Sequence, residues 1–62
     1  MKAIDKAVKA VGGQSALARA VHVTQPTVFY WTKKGTVPNS KIKAVSSASG
    51  VPESEFIADI FE

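Results

Sequence analysis

Apolar side chains recur at helical spacing along most of the chain. Ile4, Ala7, Val8 and Val11 share one stripe and Lys2, Lys6 and Lys9 the opposite face, which predicts an amphipathic first helix of about three turns. Gly12-Gly13 stops it, one glycine being free to take the left-handed C-terminal position. Leu17, Ala18 and Val21 mark a second helix beginning near Gln14, and Val28 and Trp31, three residues apart, form the inward ridge of a third. Ile42 and Val45 face inward from a fourth, with Ala48 or Ser49 continuing the stripe and Gly50 ending it. Val51-Pro52 opens a fifth, whose first turn holds Glu53 and Glu55, where carboxylates suit the helix dipole. Phe56, Ile57, Ile60 and Phe61 then recur at i, i+1, i+4 and i+5, helical rather than alternating. The expected fold is all-α, a compact five-helix domain.

The chain is organised around residues 14–31, QSALARAVHVTQPTVFYW, two short helices joined by a sharp bend. Helices crossing steeply over a turn of three or four residues bring their backbones close, so the small Ala18 is the residue that fits there, and Val23 seals the turn. The third helix starts in one of two ways. Either Thr24 caps it through its hydroxyl with Pro26 second, or Gln25 caps a helix that opens with Pro26. With Val28 and Trp31 inward, Gln25, Pro26, Phe29, Tyr30 and Lys33 share the other face. The alternative buries Phe29, about 100° round from Val28, and makes Tyr30 a half-buried anchor. Lys33 and Lys34 sit at the negative pole before Gly35 and Thr36, and Val37-Pro38-Asn39-Ser40 leads into the fourth helix, with Pro38 as its first residue or Asn39 as its cap.

Gln14, Ala18, Val23, Val28 and Trp31 stand at the signature positions of the helix-turn-helix of phage Cro and repressor proteins, and TQPTVFYW resembles their recognition helix. GTVPNSKIKAV is similar to the Cro-like and YdaS-like subgroup, in which a Trp is followed by a Gly, then Val-Pro, then a helix containing an Ile. The resemblance runs from Ile4 to Gly50. It implies a lambda-repressor-like or Cro-like domain with the helix-turn-helix at 14–33, a transcriptional repressor that sets its recognition helix in the major groove of an operator. It also implies that Gln14 contacts the DNA backbone. His22 departs from the pattern: the family usually has Gly there, at a position that often needs positive φ, which His adopts at some energetic cost.

Charge sharpens this picture. The net +3 divides into +7 over residues 1–43, where all eight lysines and arginines face Asp5 alone, and −4 over residues 44–62, which carry Glu53, Glu55, Asp59 and Glu62 and no base. Basic charge accompanies the helix-turn-helix, as a polyanionic partner requires. Sixty-two residues predict one domain, 1–62, burying only about 60% of its unfolded surface. No cysteine is present and His22 is the lone histidine, so neither a disulfide framework nor a metal site is expected, and no cofactor. No apolar run approaches the roughly 20 residues of a membrane span and no signal peptide is evident, which predicts a cytoplasmic protein of a bacterial host cell. Ser46, Ser47 and Ser49 have no base nearby in sequence, so an enzyme is not expected.

The candidate base-contacting residues are Gln25, Pro26, Phe29 and Tyr30. The candidate backbone contacts are Gln14, Thr24, Thr27, Lys33, Lys34 and Lys41, with Lys43 near the same helix start and Arg19 ranked below them. The expected partners are a double-stranded operator and a second copy of the chain, paired through Ile57, Ile60 and Phe61, weakly in free solution. Phe56 and Ile60 either join that surface or complete the core. An antitoxin-like regulator, or a protein-interaction module on the same fold, are the alternatives.

Overall fold

The computed structural model describes residues 1–61, so Glu62, one of the C-terminal acids, lies outside the described residues. Five helices follow in order: α1 (Ala3–Val11), α2 (Gln14–Ala20), α3 (Gln25–Lys34), α4 (Asn39–Ser49) and α5 (Glu53–Ile60). No strand occurs among the described residues, and none of their helices is long and apolar enough to cross a membrane. The all-α expectation holds.

α1 buries Ala3, Ile4 and Ala7, with Val8 and Val11 packed half-buried against the same core and Lys6 and Lys9 exposed. Lys2, expected on the polar face of this helix, stands just ahead of it in extended backbone, and its stem lies over Gly35: a Cβ built there would sit 3.6 Å from Lys2 Cε. The Gly13 amide donates to the Val8 carbonyl at 2.9 Å and the Gly12 amide to that of Lys9 at 3.3 Å, closing the helix with Gly12 in the left-handed region. α2 closes in the same way. The Val23 amide donates to the Ala18 carbonyl at 2.9 Å and that of His22 to the Arg19 carbonyl at 3.4 Å, and His22 takes a φ of 60°. His22 therefore occupies the position in α2 that Gly12 occupies in α1, as the departure from the family pattern predicts.

This ending turns the chain through residues 21–24 and lays α3 against α2, its main packing partner. Leu17, Ala18 and Val21 from the first element meet Val28 and Trp31 from the second, all buried. The expected pair of short helices joined by a sharp bend is formed by these segments. α4 adds Ile42 and Val45, mainly against α1, and the connecting segments add Val37 and Val51. Ser49, half-buried, continues the α4 stripe where Ala48 is exposed. α4 opens with Asn39 as its first residue and Pro38 in the capping position (φ −57°, ψ 144°), midway between the two expected starts. Proline's fixed φ suits both the capping and the first helical position, and its ψ, extended here, decides between them.

α5 packs on α1 and α4 but not on α3. Phe56 goes into the core at 1% exposure, whereas Ile57, Ile60 and Phe61 remain exposed. Of the two residues that could complete the core, only Phe56 does so. Two polar contacts hold the same edge of α5 onto α1: Lys6 Nζ meets Glu55 Oε1 at 2.6 Å, and the Ala3 amide donates to Asp59 Oδ2 at 2.7 Å. The hydrogen bond and charge of Glu55 raise the Lys6 ammonium above its ordinary pKa. Ser46 and Ser49 knit the α4–α5 link. Ser46 Oγ donates to the Val51 carbonyl, and Ser49 Oγ donates to the Val45 carbonyl while accepting the Val51 amide.

Candidate nucleic-acid interface

α3 presents two lines of side chains to solvent, set by its 3.6-residue period. Gln25, Phe29 and Lys33 follow one another at intervals of four, and Pro26, Tyr30 and Lys34 run beside them. Phe29 is 51% exposed and Tyr30 58%, which puts both on the outer face and leaves the core to Val28 and Trp31. Large aromatic rings held in water by a rigid helix are an uncommon surface, since burying each would gain a few kcal/mol.

Each ring carries a cation. Lys33 Nζ lies 5.7 Å from the centre of the Phe29 ring and Lys34 Nζ 5.7 Å from that of Tyr30. The lysine stems are thereby drawn back along the helix, and the two ammonium groups flank the aromatic pair. Thr32 supports this turn, its hydroxyl donating to the Phe29 carbonyl at 2.7 Å.

At its N-terminus α3 begins with Gln25, Pro26 is second and Thr24 stands in the capping position, the first of the two expected starts. The hydroxyl of Thr24 does not cap the helix, however. It pairs with the Thr27 hydroxyl at 2.9 Å, while the Thr24 carbonyl accepts the amides of Thr27 and Val28. A second hydroxyl one turn on competes with the backbone amide, so Thr24 and Thr27 form one polar spot at the helix tip.

Gln14, half-buried at the start of α2, lines a solvent-facing groove of about 250 Å³ with Gln25, Pro26 and Phe29. Residues eleven or more positions apart in sequence thus meet around one space, with two amide side chains and two apolar rings. Lys41, partly buried, and Lys43, exposed, stand in the first turns of α4, and Arg19 is exposed on α2. The expected pairing residues Ile57 and Ile60 lie on α5 and Phe61 just past its end, and α5 does not pack on α3.

A second groove, about 270 Å³, runs from the C-terminal half of α3 along the α3–α4 connection to Ile60 at the end of α5, where sequence reasoning expected none. Tyr30 and Lys34 line it together with Trp31, Val37, Pro38 and Ile60. Only the break at Gly35 and Pro38, which parts α3 from α4, hints at such a gap in the sequence.

Comparison with curated proteins and with solved structures finds no match. The scan against protein families does: the family described as "Bacterial toxin YdaS" matches residues 4–62. A match that takes in all five helices, the α2–α3 turn with its left-handed His22 and the aromatic outer face of α3 makes this chain a member of the YdaS family.

Proposed function

We propose that the chain is a sequence-specific double-stranded DNA-binding regulator of the phage Cro and repressor type, which sets α3 in the major groove and represses by occluding a promoter. The observation that carries this reading is the convergence of Gln14, Gln25, Pro26 and Phe29 on one open groove, flanked by lysines drawn over Phe29 and Tyr30. The Gln25 amide offers the donor and acceptor that an adenine edge needs, and Pro26, Phe29 and Tyr30 offer apolar surface to a thymine methyl. Gln14, Thr24, Thr27, Lys33, Lys34 and Lys41 supply the contacts to phosphates that fix the register. One recognition helix reads only a few base pairs, so two copies engage half-sites about 34 Å apart, paired through Ile57 and Ile60 of α5 and the adjoining Phe61.

The description of the family as a bacterial toxin favours a second reading. In it the chain acts within a toxin–antitoxin pair, touching DNA with α3 and a protein with another surface.

Titrating duplex DNA at several salt concentrations tests the proposal. If a pair of copies neutralises about eight phosphates, log K falls against log salt with a slope of about −7. A flat dependence, or no binding to any duplex, overturns it.

A further inference from the structure

We infer that the groove lined by Gln14, Gln25, Pro26 and Phe29 also takes an unpaired base of single-stranded DNA, with Tyr30 as the stacking surface for the next base. A base inside a duplex shows a protein only its edge, because both of its faces are covered by the base pairs above and below. The Gln25 amide can use that edge, but a phenyl ring can offer it no more than contact with a thymine methyl. Duplex recognition therefore leaves the faces of the Phe29 and Tyr30 rings, 51% and 58% exposed, largely unused. An unpaired base supplies the π-face that such a ring stacks on, and bases laid on aromatic side chains are the common device of proteins that hold single strands.

The groove has the walls that one base needs. Phe29 and Pro26 are apolar rings, both exposed, and Gln14 and Gln25 bring two carboxamides to the same space. A base laid against the rings turns its edge to the amides, each of which carries a donor and an acceptor. Unpaired thymine answers both walls, with N3–H beside O4 free for a carboxamide and a methyl group for the apolar side. At about 250 Å³ the space falls below the roughly 300 Å³ at which pockets for drug-sized molecules begin, and it faces solvent, so the strand can run on beyond it.

Charge suits the same occupant. No acid lines the groove, and Lys33 and Lys34 stand with Nζ 5.7 Å from the centres of the Phe29 and Tyr30 rings. A base stacked on either ring brings its phosphate to the rim, within reach of that ammonium. Tyr30 lies about 100° round the helix from Phe29, so the two bases are splayed apart, a geometry open to a flexible single strand and closed to a duplex. DNA is favoured over RNA, because the apolar wall suits the methyl group that uracil lacks, and with both amides on the base edge no lining residue is left to meet a 2′-hydroxyl. The site shares α3 with the reading under Proposed function without resting on it, and its test contains no duplex, so either can fail alone.

Fluorescence anisotropy of labelled strands of about 12 nucleotides, titrated with the intact chain at low salt, decides it. Oligo(dT) is expected to bind about tenfold more tightly than an abasic deoxyribose-phosphate strand of the same length, and more tightly than oligo(U). Phe29→Leu, at an exposed position and keeping apolar bulk without a π-face, is expected to lose most of that difference and Phe29→Tyr to keep it, with circular dichroism verifying that both are folded. The ring protons of Phe29 should also move upfield in NMR spectra when oligo(dT) is added, as protons under a stacked base do. Equal binding of the thymine and abasic strands would mean that charge alone holds them, and overturns the inference. So does a Phe29→Leu chain that keeps the preference, an oligo(U) strand held as tightly as oligo(dT), or no binding of any single strand.

Discussion

The carboxylate of Asp59 accepts the backbone amide of Ala3 at 2.7 Å, so the last helix caps the first across 56 positions of sequence. α1 has no cap of its own, because Lys2 in the capping position provides no side-chain acceptor. Asp59 satisfies one of the amides that every helix start leaves unpaired, and its charge suits the positive end of the α1 dipole. Replacing Asp59 with Ala is expected to lower stability by about 1 kcal/mol, the usual worth of such a cap. Urea denaturation giving the same midpoint for wild type and variant would show that α5 only rests against α1.

Phe56 is the apolar tie between α5 and the rest. At 1% exposure, truncation to Ala removes a buried ring and leaves a cavity, a loss of about 3–5 kcal/mol. A domain of this size has little more than that in reserve, so Phe56→Ala is expected to be substantially unfolded at 37 °C. Ile57→Ala, one residue on and exposed, should leave the thermal midpoint of dilute protein nearly unchanged. Equal losses for the two would mean that Ile57 is as much part of the core as Phe56.

These contacts mark where the sequence is readable and where it is not. The ends of α1 and α2 are legible because they are local: Gly12 and His22 must turn left-handed within hydrogen-bonding reach of carbonyls a few residues back. The outward set on α3 is legible because Val28 and Trp31 fix the phase of the helix. α5 is not. Phe56 and Ile57 are adjacent and similarly apolar, and only the placement of α1 and α4 decides which is buried. The Thr24–Thr27 hydroxyl pair and the Ala3–Asp59 cap escape for a related reason, since several acceptors compete for each donor and tertiary geometry chooses among them. The groove at the end of α3 is legible only in part, because the break at Gly35 and Pro38 is local whereas Ile60 joins it from a helix that does not pack on α3.

His22 offers a direct test of the turn. A side chain with a Cβ in the left-handed region loses about 1–2 kcal/mol, and glycine returns roughly 0.5–1 kcal/mol of that as unfolded-chain entropy. Since His22 is exposed and its φ is 60°, His22→Gly is expected to raise stability by up to about 1 kcal/mol, several degrees in Tm. His22→Val, with a branched Cβ, should lower it. A melting curve in which Gly lowers Tm would mean that the imidazole makes a contact worth more than the strain.

The Lys6–Glu55 pair gives a pH signature. Glu55 raises the Lys6 pKa from 10.5, so the pair contributes stability below that value and loses it as pH rises through the higher folded-state value. The Tm difference between wild type and Lys6→Met is therefore expected to stay constant from about pH 7 to 10 and to shrink only above 10.5. Both partners are well exposed, at 46% and 40% for their side chains, so the difference is small and falls further in high salt. A difference that changes across neutral pH would place another titrating group at this contact.

The proposed DNA face makes its sharpest prediction through two residues on one line of α3. Gln25 stands at the helix tip beside the groove shared with Gln14, Pro26 and Phe29, while Lys33, two turns on, is held over the Phe29 ring. A neutral amide that pairs with a base edge distinguishes one base pair from another, whereas an ammonium that meets phosphate meets the same group on every duplex. Gln25→Ala is accordingly expected to weaken the preferred site by about 1–3 kcal/mol and to flatten preference at one base pair, leaving random duplex nearly unaffected. Lys33→Ala should weaken preferred and random duplexes alike and reduce the salt slope by about one. Selecting sites from a random pool with the wild type and then titrating both variants on selected and scrambled duplexes measures both. A Gln25→Ala loss equal on the two duplexes would assign that residue to the phosphates and send the search for base readers to Phe29 and Tyr30.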